Sequence, residues 1–296
     1  MQKRVFLLLT FFALLWLSQS QAQSDGDSFR FVFMTDIHLW EKNMAAEGFQ
    51  QALDTAVMLR PDFLLTGGDL VMDVLRTSQS RADSLFMQYK QAIGSLAVPV
   101  YNALGNHEVF GWGNKLSDPN HPDYGKNMFK RHLGSYNHRF SHKNWEFMVI
   151  EGVRHNDSTA YDGWVTEETL DWIRMELSRI ATGTPIVLVS HIPLMTLEGQ
   201  WFNGALAANH PMDVVGNAKE VLSLFSSHKL KLVLQGHLHF YEKLFIGGIT
   251  YITGGAVSGK WWKGAYHGTE PGFVVVDING DSFKARYQTF GWDAGN

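Results

Sequence analysis

Along the chain, short continuous apolar runs alternate with stretches whose apolar residues recur at helical spacing, the pattern of an α/β layered domain. Residues 29–35 predict the first strand. Residues 44–59 predict a helix that stops before Pro61, and 63–66 a short strand running into Gly67-Gly68-Asp69. A helix over 81–96 and a strand over 98–104 follow, and that strand ends in the turn Gly105-Asn106-His107-Glu108. Residues 145–151 predict a further strand. The segment 166–180 opens Thr-Glu-Glu-Thr and carries Leu170, Ile173 and Leu177 on one helical face. Residues 186–189 form a buried strand ending at Ser190-His191, 214–228 a helix, and 230–234 a strand ending at Gln235-Gly236-His237. The tail over 245–290 alternates like several antiparallel strands joined at glycines. Two stretches, 110–124 and 192–211, lack periodicity and have the length of functional loops.

The sequence contains no repeat, linker or low-complexity tract, and residues 23–296 read as one domain. Residues 1–22 read as a targeting segment: Lys3 and Arg4 precede an apolar run over 5–17, and Ser20-Gln21-Ala22 supplies small residues for cleavage after Ala22. That run is short of the roughly 20 residues that span a bilayer, so the expectation is an exported chain, periplasmic or secreted, with no stable membrane span after processing. The absence of cysteine removes both a disulfide framework and any thiolate metal ligand. Only 18% of residues are charged and the net charge is -4, which argues against a nucleic-acid partner.

The strand ends share one chemistry. Asp36-Ile37-His38, Gly68-Asp69, Gly105-Asn106-His107-Glu108, Ser190-His191 and Gly236-His237-Leu238-His239 each follow an apolar run. In open α/β sheets the carboxyl ends of strands border the ligand crevice, so separate loops can deliver groups to one point. Carboxylate oxygen, amide oxygen and imidazole nitrogen are the donors that Mn, Fe or Zn accept. One such histidine alone is more often a structural residue; the ordered set is what points to metal.

That set resembles the pattern of the calcineurin-like metallophosphoesterase superfamily: Asp-x-His, Gly-Asp, Gly-Asn-His-Glu/Asp, His and Gly-His-x-His, over about two thirds of the chain. The resemblance implies two packed mixed β-sheets flanked by helices, the C-terminal strands completing the second sheet. It implies two divalent or trivalent transition metal ions, with Asp36, His38 and His239 on one, Asn106, His191 and His237 on the other, and Asp69 bridging. A metal-bridging hydroxide would be the nucleophile, His107 would act on the phosphate or leaving oxygen, and Glu108 would orient His107. Met72 stands where purple acid phosphatases have a metal-binding tyrosine, and Met72-Asp73-Val74 replaces the Asp-Arg-Gly run of protein Ser/Thr phosphatases. The nearest branch is that of small bacterial phosphodiesterases.

The expected activity is therefore hydrolysis of a small phosphoester, a diester before a monoester. A broad phosphomonoesterase, a pyrophosphatase acting on nucleotide-sugar or nucleotide-lipid substrates, and a non-catalytic metal-containing binding protein remain as alternatives. Specificity would reside in the aromatic loops, for which Trp112, Trp201, Lys260, Trp261 and Trp262 are the candidate substrate contacts. Loop packing is the competing reading for each of these rings. Among the other histidines, His121, His210 and His267 have the better claim to touch substrate.

Overall fold

The computed structural model describes residues 27–114 and 116–294. The targeting segment expected over residues 1–22 lies outside the described residues. Strand β1 (Ser28–Met34) shows how the layers arise. Its side chains alternate between two sides, with Phe29, Phe31 and Phe33 in one apolar cluster and Val32 and Met34 in another. A strand buried on both faces needs apolar residues at nearly every position, which is what this segment has.

One five-stranded sheet runs in the order β13 (Ser282–Thr289), β12 (Gly272–Asn279), β1, β2 (Phe63–Thr66), β3 (Val100–Tyr101). The pairs β1–β2 and β2–β3 are parallel, whereas β12 is antiparallel to β1 and to β13. A six-stranded sheet has the order β10 (Tyr241–Ile246), β11 (Ile249–Gly254), β9 (Lys229–Gln235), β8 (Pro185–Ser190), β5 (Trp145–Ile150), β4 (His138–His142). Its four inner strands are parallel, and β10 and β4 are antiparallel edges. Phe31, Phe63 and Phe147 join the two sheets, with rings stacked at 5.2 Å within the first and edge-on at 5.4 Å across to the second. This is the expected α/β sandwich of two mixed sheets with helices.

The opposite strand faces carry the helices α1 (Ala45–Met58), α2 (Gln79–Gly94), α4 (Glu167–Leu177) and α6 (Ala218–Leu224). In α1 the buried positions Ala45, Gly48, Phe49, Ala52, Leu53 and Ala56 form one helical stripe. Three short elements fall where the sequence shows no period: α3 (Asn127–Leu133), α5 (Glu198–Asn203) inside the stretch 192–211, and the hairpin β6 (Val153–Asn156)–β7 (Ala160–Gly163). The strand expected over 98–104 shrinks to β3, and the helix expected over 214–228 to α6. In the latter case Asn217 is held by Val165, whose N–H it accepts at 3.0 Å and whose carbonyl it donates to at 2.9 Å, and the residues before it form turns, so the helix starts at Ala218.

The tail departs from expectation in its connectivity. Strands β10 and β11 join the second sheet, with β11 parallel to β9, but β12 and β13 return to the first sheet instead of completing the second. Alternation fixes which face of a strand is apolar, not which neighbour it pairs with. Strand β12 can sit beside β1 because Val274, Val276 and Ile278 meet the other sheet while Phe273 and Val275 meet the helix side.

Between β11 and β12 the chain crosses the top of β1 and is locked there by Trp262. That ring is 1% exposed, its indole N–H donates to the Ile37 carbonyl at 2.9 Å, and its face lies on Gly48 of α1. A Cβ at Gly48 would stand 2.3 Å from the Trp262 ring. Alanine in a helix is favoured over glycine by about 1 kcal/mol, but overpacking a tight contact costs about 1–3 kcal/mol. Gly48→Ala is therefore expected to lower the thermal and urea midpoints; a stabilised variant would show that the Trp262 contact yields easily.

Candidate metal centre

Five loops that leave parallel strands at this edge contribute. The loop after β1 brings Asp36 and His38, that after β2 Asp69, that after β3 Asn106 and His107, that after β8 His191, and that after β9 His237 and His239. The loops are laced together by backbone bonds: Asp36 N–H to the Gly68 carbonyl at 3.0 Å, and Gly236 N–H to the His191 carbonyl at 2.9 Å. A Cβ at Gly236 would lie 2.0 Å from the Thr35 hydroxyl oxygen and 2.8 Å from an Asp36 carboxylate oxygen, so only glycine lets the two sheets approach this closely. Asp36, His38, Asp69, His237 and His239 all have positive φ, between 47° and 74°. Non-glycine residues in this region cost of order 1–3 kcal/mol each, and such strain concentrates at functional sites.

The side chains converge in overlapping groups. Asp36, His38 and His239 offer ligand atoms within 4.8 Å of one another, as do Asp69, His191 and His237, and as do His38, Asp69 and His107. Asp69 thus belongs to groups on both sides of the centre. Asn106 joins the His191 side, its amide oxygen 2.9 Å from His191 Nε2. The seven residues expected to ligate metal are therefore brought together, with His107 beside them.

Hydrogen bonds to the backbone orient the imidazoles. His191 Nδ1 lies 2.7 Å from the Gly67 carbonyl and His239 Nδ1 2.7 Å from the Gly259 carbonyl, so each Nδ1–H donates outward and each Nε2 faces the centre. His38 Nε2 is 2.9 Å from His239 Nε2. The Nδ1 atom of His237, whose Nε2 lies 3.6 Å from Asp213, is buried without a hydrogen-bond partner. Buried donors and acceptors are rarely left so, and an unpaired imidazole nitrogen among carboxylates is what a cation completes.

Charge makes the same demand. Burial would raise the Asp69 carboxyl, but the His191 and His107 charges and the hydrogen bond from His191 outweigh it and hold it well below the usual range. Burial would lower His191, yet the Asp69 carboxylate 3.2 Å away, followed by Asp36, lifts it to about 9. His38 and His239 are lowered, first by burial; for His38 the neighbouring His107 adds to it. The centre is short of positive charge at the Asp69–His191 side, and a divalent cation meets that need with the oxygen and nitrogen donors present. The donor set fits first-row transition metals.

His107 differs from its neighbours in being reachable: its side chain is 20% exposed, whereas those of His38 and His191 are fully covered. Its Nδ1 accepts the Asp73 backbone N–H at 3.2 Å, which places the proton on Nε2, 3.9 Å from Asp69 and facing the centre. Orientation of His107 thus comes from the Asp73 main chain and not from Glu108. The Glu108 carboxylate, fully buried, accepts the N–H groups of Gly105, Asp69, Leu70 and Val71 at 2.7, 2.9, 2.8 and 3.2 Å. Burial, then the Asp69 charge, push Glu108 up to about 8, against those donors. Its work is to tie the loop after β2 to the loop after β3.

The aromatic loops divide. Trp261 packs 4.7 Å from the His239 ring and lines a cleft of about 250 Å³ with Glu198, Asp213, His237, Phe240, Tyr266 and His267. Trp201, 80% exposed, lines an adjoining cavity of about 300 Å³. Trp262 is core, as described above. Trp112 packs against Gly125, Lys126 and His155, and Lys260 has an exposed side chain outside the cleft lining. Of the three loop histidines, His267 borders both cavities, whereas His121 and His210 accept the local N–H groups of Asp123 and Met212. Glu198 and Asp213 had no signal in the sequence, since they lie in irregular segments and reach the cleft only through tertiary folding.

Glu108→Gln keeps the size of the side chain but turns an NH2 toward N–H donors, leaving donors unpaired in the interior. The expected loss is about 1–3 kcal/mol of folding stability, read as a lower urea midpoint with unchanged slope; wild-type stability would remove Glu108 as the tie between these loops.

Comparison with known proteins agrees with this geometry. Residues 29–241 match the family described as calcineurin-like phosphoesterase. Over 218 residues the chain is 23% identical to a protein of Nostoc sp. named a 3',5'-cyclic-nucleotide phosphodiesterase, covering 70% of each. Over 230 residues it is 26% identical to a Moraxella catarrhalis protein named a probable cyclic nucleotide phosphodiesterase, covering 73% of each. A dimetal phosphatase from Danio rerio shares the fold, with TM-score 0.63 at 16% identity over 88% of this chain and 96% of that one. The chain belongs to the calcineurin-like phosphoesterase family and is a metal-dependent phosphoesterase.

Proposed function

We propose that this protein hydrolyses small phosphodiesters at a centre of two divalent transition metal ions, and that it acts after export. The observation that carries the reading is the shared position of Asp69, within reach of His38 and His107 on one side and of His191 and His237 on the other. Asp36, His38 and His239 would hold one ion, Asn106, His191 and His237 the second, and Asp69 both. When bound, such a pair supplies Lewis acidity to phosphoryl oxygens and lowers the pKa of water so that hydroxide is available as nucleophile.

The chain's own residues do the rest. His107 presents Nε2–H toward the centre, fixed by the Asp73 N–H on its other nitrogen, so it can donate to a phosphoryl oxygen or to the leaving oxygen as charge grows there. Trp261, Tyr266 and Phe240 wall the cleft beside His239 and exclude water from one side. The preference for a diester follows from charge. Among the described residues no Lys or Arg lines this cleft, while Glu198 and Asp213 do, and a monoester dianion would meet those two carboxylates with no lysine or arginine among them to offset the charge. A diester carries one negative charge and an organic group on each side. The names of the two curated relatives support the same preference. The apolar run over residues 5–17 supports export.

The direct test is turnover of bis(p-nitrophenyl) phosphate against p-nitrophenyl phosphate after loading with Mn, Fe or Zn. The diester is expected to have the higher kcat/KM with at least one metal; faster monoester cleavage throughout would overturn the preference. His107→Ala is expected to keep wild-type metal content while slowing substrates with poor leaving groups by roughly 100-fold. Loss of bound metal in that variant would instead make His107 a ligand.

A further inference from the structure

Beyond the metal centre lies a second cavity, and its walls are unlike those of a phosphate site. Trp201, Phe202, Phe240 and Tyr241 supply aromatic faces, and Glu242 supplies a carboxylate. The cavity shares Phe202, Phe240 and His267 with the cleft that reaches His237 and His239, so a ligand can extend from one into the other. Among the described residues neither space is lined by Lys or Arg, and together they hold the carboxylates of Glu198, Asp213 and Glu242. Glu242 forms no salt bridge among the described residues, and its oxygens take the Leu197 N–H at 2.9 Å and, distantly, the Thr253 hydroxyl at 3.5 Å.

We propose that this cavity binds a cationic amine carried by one ester group of the substrate, so that the enzyme prefers phosphodiesters of amino alcohols. This rests on the phosphodiesterase reading above and names its substrate class. Aromatic faces attract a quaternary or alkyl ammonium through their ring quadrupoles, and the apolar walls accept its methyl groups. A carboxylate in the same wall supplies the counter-charge that a neutral base or acyl chain would not need. A second phosphate would be repelled by all three carboxylates, which separates this class from nucleoside diphosphate derivatives. The cavity of about 300 Å³ is ample for a trimethylammonium ethyl group.

The test compares p-nitrophenyl phosphocholine with p-nitrophenyl 3,3-dimethylbutyl phosphate, an isostere with carbon in place of nitrogen that keeps the phosphodiester anion but lacks the positive charge on its tail. In both, oxygen from water bonds to phosphorus, the P–O bond to the aryl group breaks, and p-nitrophenolate leaves while the water proton passes to solvent. Reactivity at phosphorus is matched, so the ratio of kcat/KM reports the cavity. We expect the choline ester to be favoured by about 10-fold or more, the size of a desolvated cation–π and charge contact. Glu242→Gln should shrink that ratio several-fold by lowering kcat/KM for the choline ester. Calorimetric titration of the unloaded protein with choline and with 3,3-dimethylbutan-1-ol gives a readout free of turnover, in which choline should bind more tightly. Equal rates for the two diesters would overturn the cation cavity while leaving the phosphodiesterase reading intact. Cleavage of p-nitrophenyl phosphate with neither diester touched would overturn both.

Discussion

Asp69 is a carboxylate at 2% exposure, and taking an uncompensated charge that far from water costs several kcal/mol. Everything around it answers that cost. Two imidazoles, His191 and His38, stand 3.2 and 3.7 Å from its oxygens, and the His107 backbone N–H donates to it at 2.9 Å. The same arrangement that a proton on His191 satisfies in part is satisfied more fully by cations, which is why metal binding and folding of these loops are expected to be coupled. Glu108, buried one loop away, is held by four backbone N–H groups, so the neighbouring carboxylate is stabilised by dipoles while Asp69 is left for ions.

The sandwich exists to hold that carboxylate against ligands from the other sheet. Asp36 and Asp69 come from the first sheet, His191, His237 and His239 from the second, and the joint between them is the contact of Gly236 with Thr35 and Asp36. The His237 N–H donates to both Asp36 oxygens, at 2.9 and 3.1 Å, which ties the sheets through the site itself. The positive-φ conformations of five of these residues are held by the strands packed beneath them, where the phenylalanine layer gives little room to relax. Trp262 adds a third tie by seating the 258–264 segment on α1 and on the backbone that presents His38.

The metal-ligand candidates and the aromatic cleft are thus built on different parts of the molecule. The first stand at strand ends, where positions are rigid. The second sits on loops and on α5, where Trp201 and Phe202 are largely exposed and Glu198 and Asp213 face the cleft. Among the described residues that surface is one of aromatic walls and carboxylates without lysine or arginine, the basis of the diester preference proposed above.

By itself, the sequence determined most of the buried strands and that the segments following them carry oxygen and nitrogen donors; periodicity and glycine turns are local properties, readable residue by residue. The ordered blocks from Asp36 to His239 made the family legible for the same reason. Tertiary structure decided what local pattern cannot encode. Strands β12 and β13 return to the first sheet because pairing partners depend on both faces of the neighbouring strand. Trp261 and Trp262 are adjacent in sequence, yet one lines the cleft and the other is core, since their positive-φ backbone turns the two rings apart. The Glu108 side chain points at backbone N–H groups and not at His107, and Glu198 and Asp213 in the cleft come beside Glu242 in the adjoining cavity only because separate segments fold against β10.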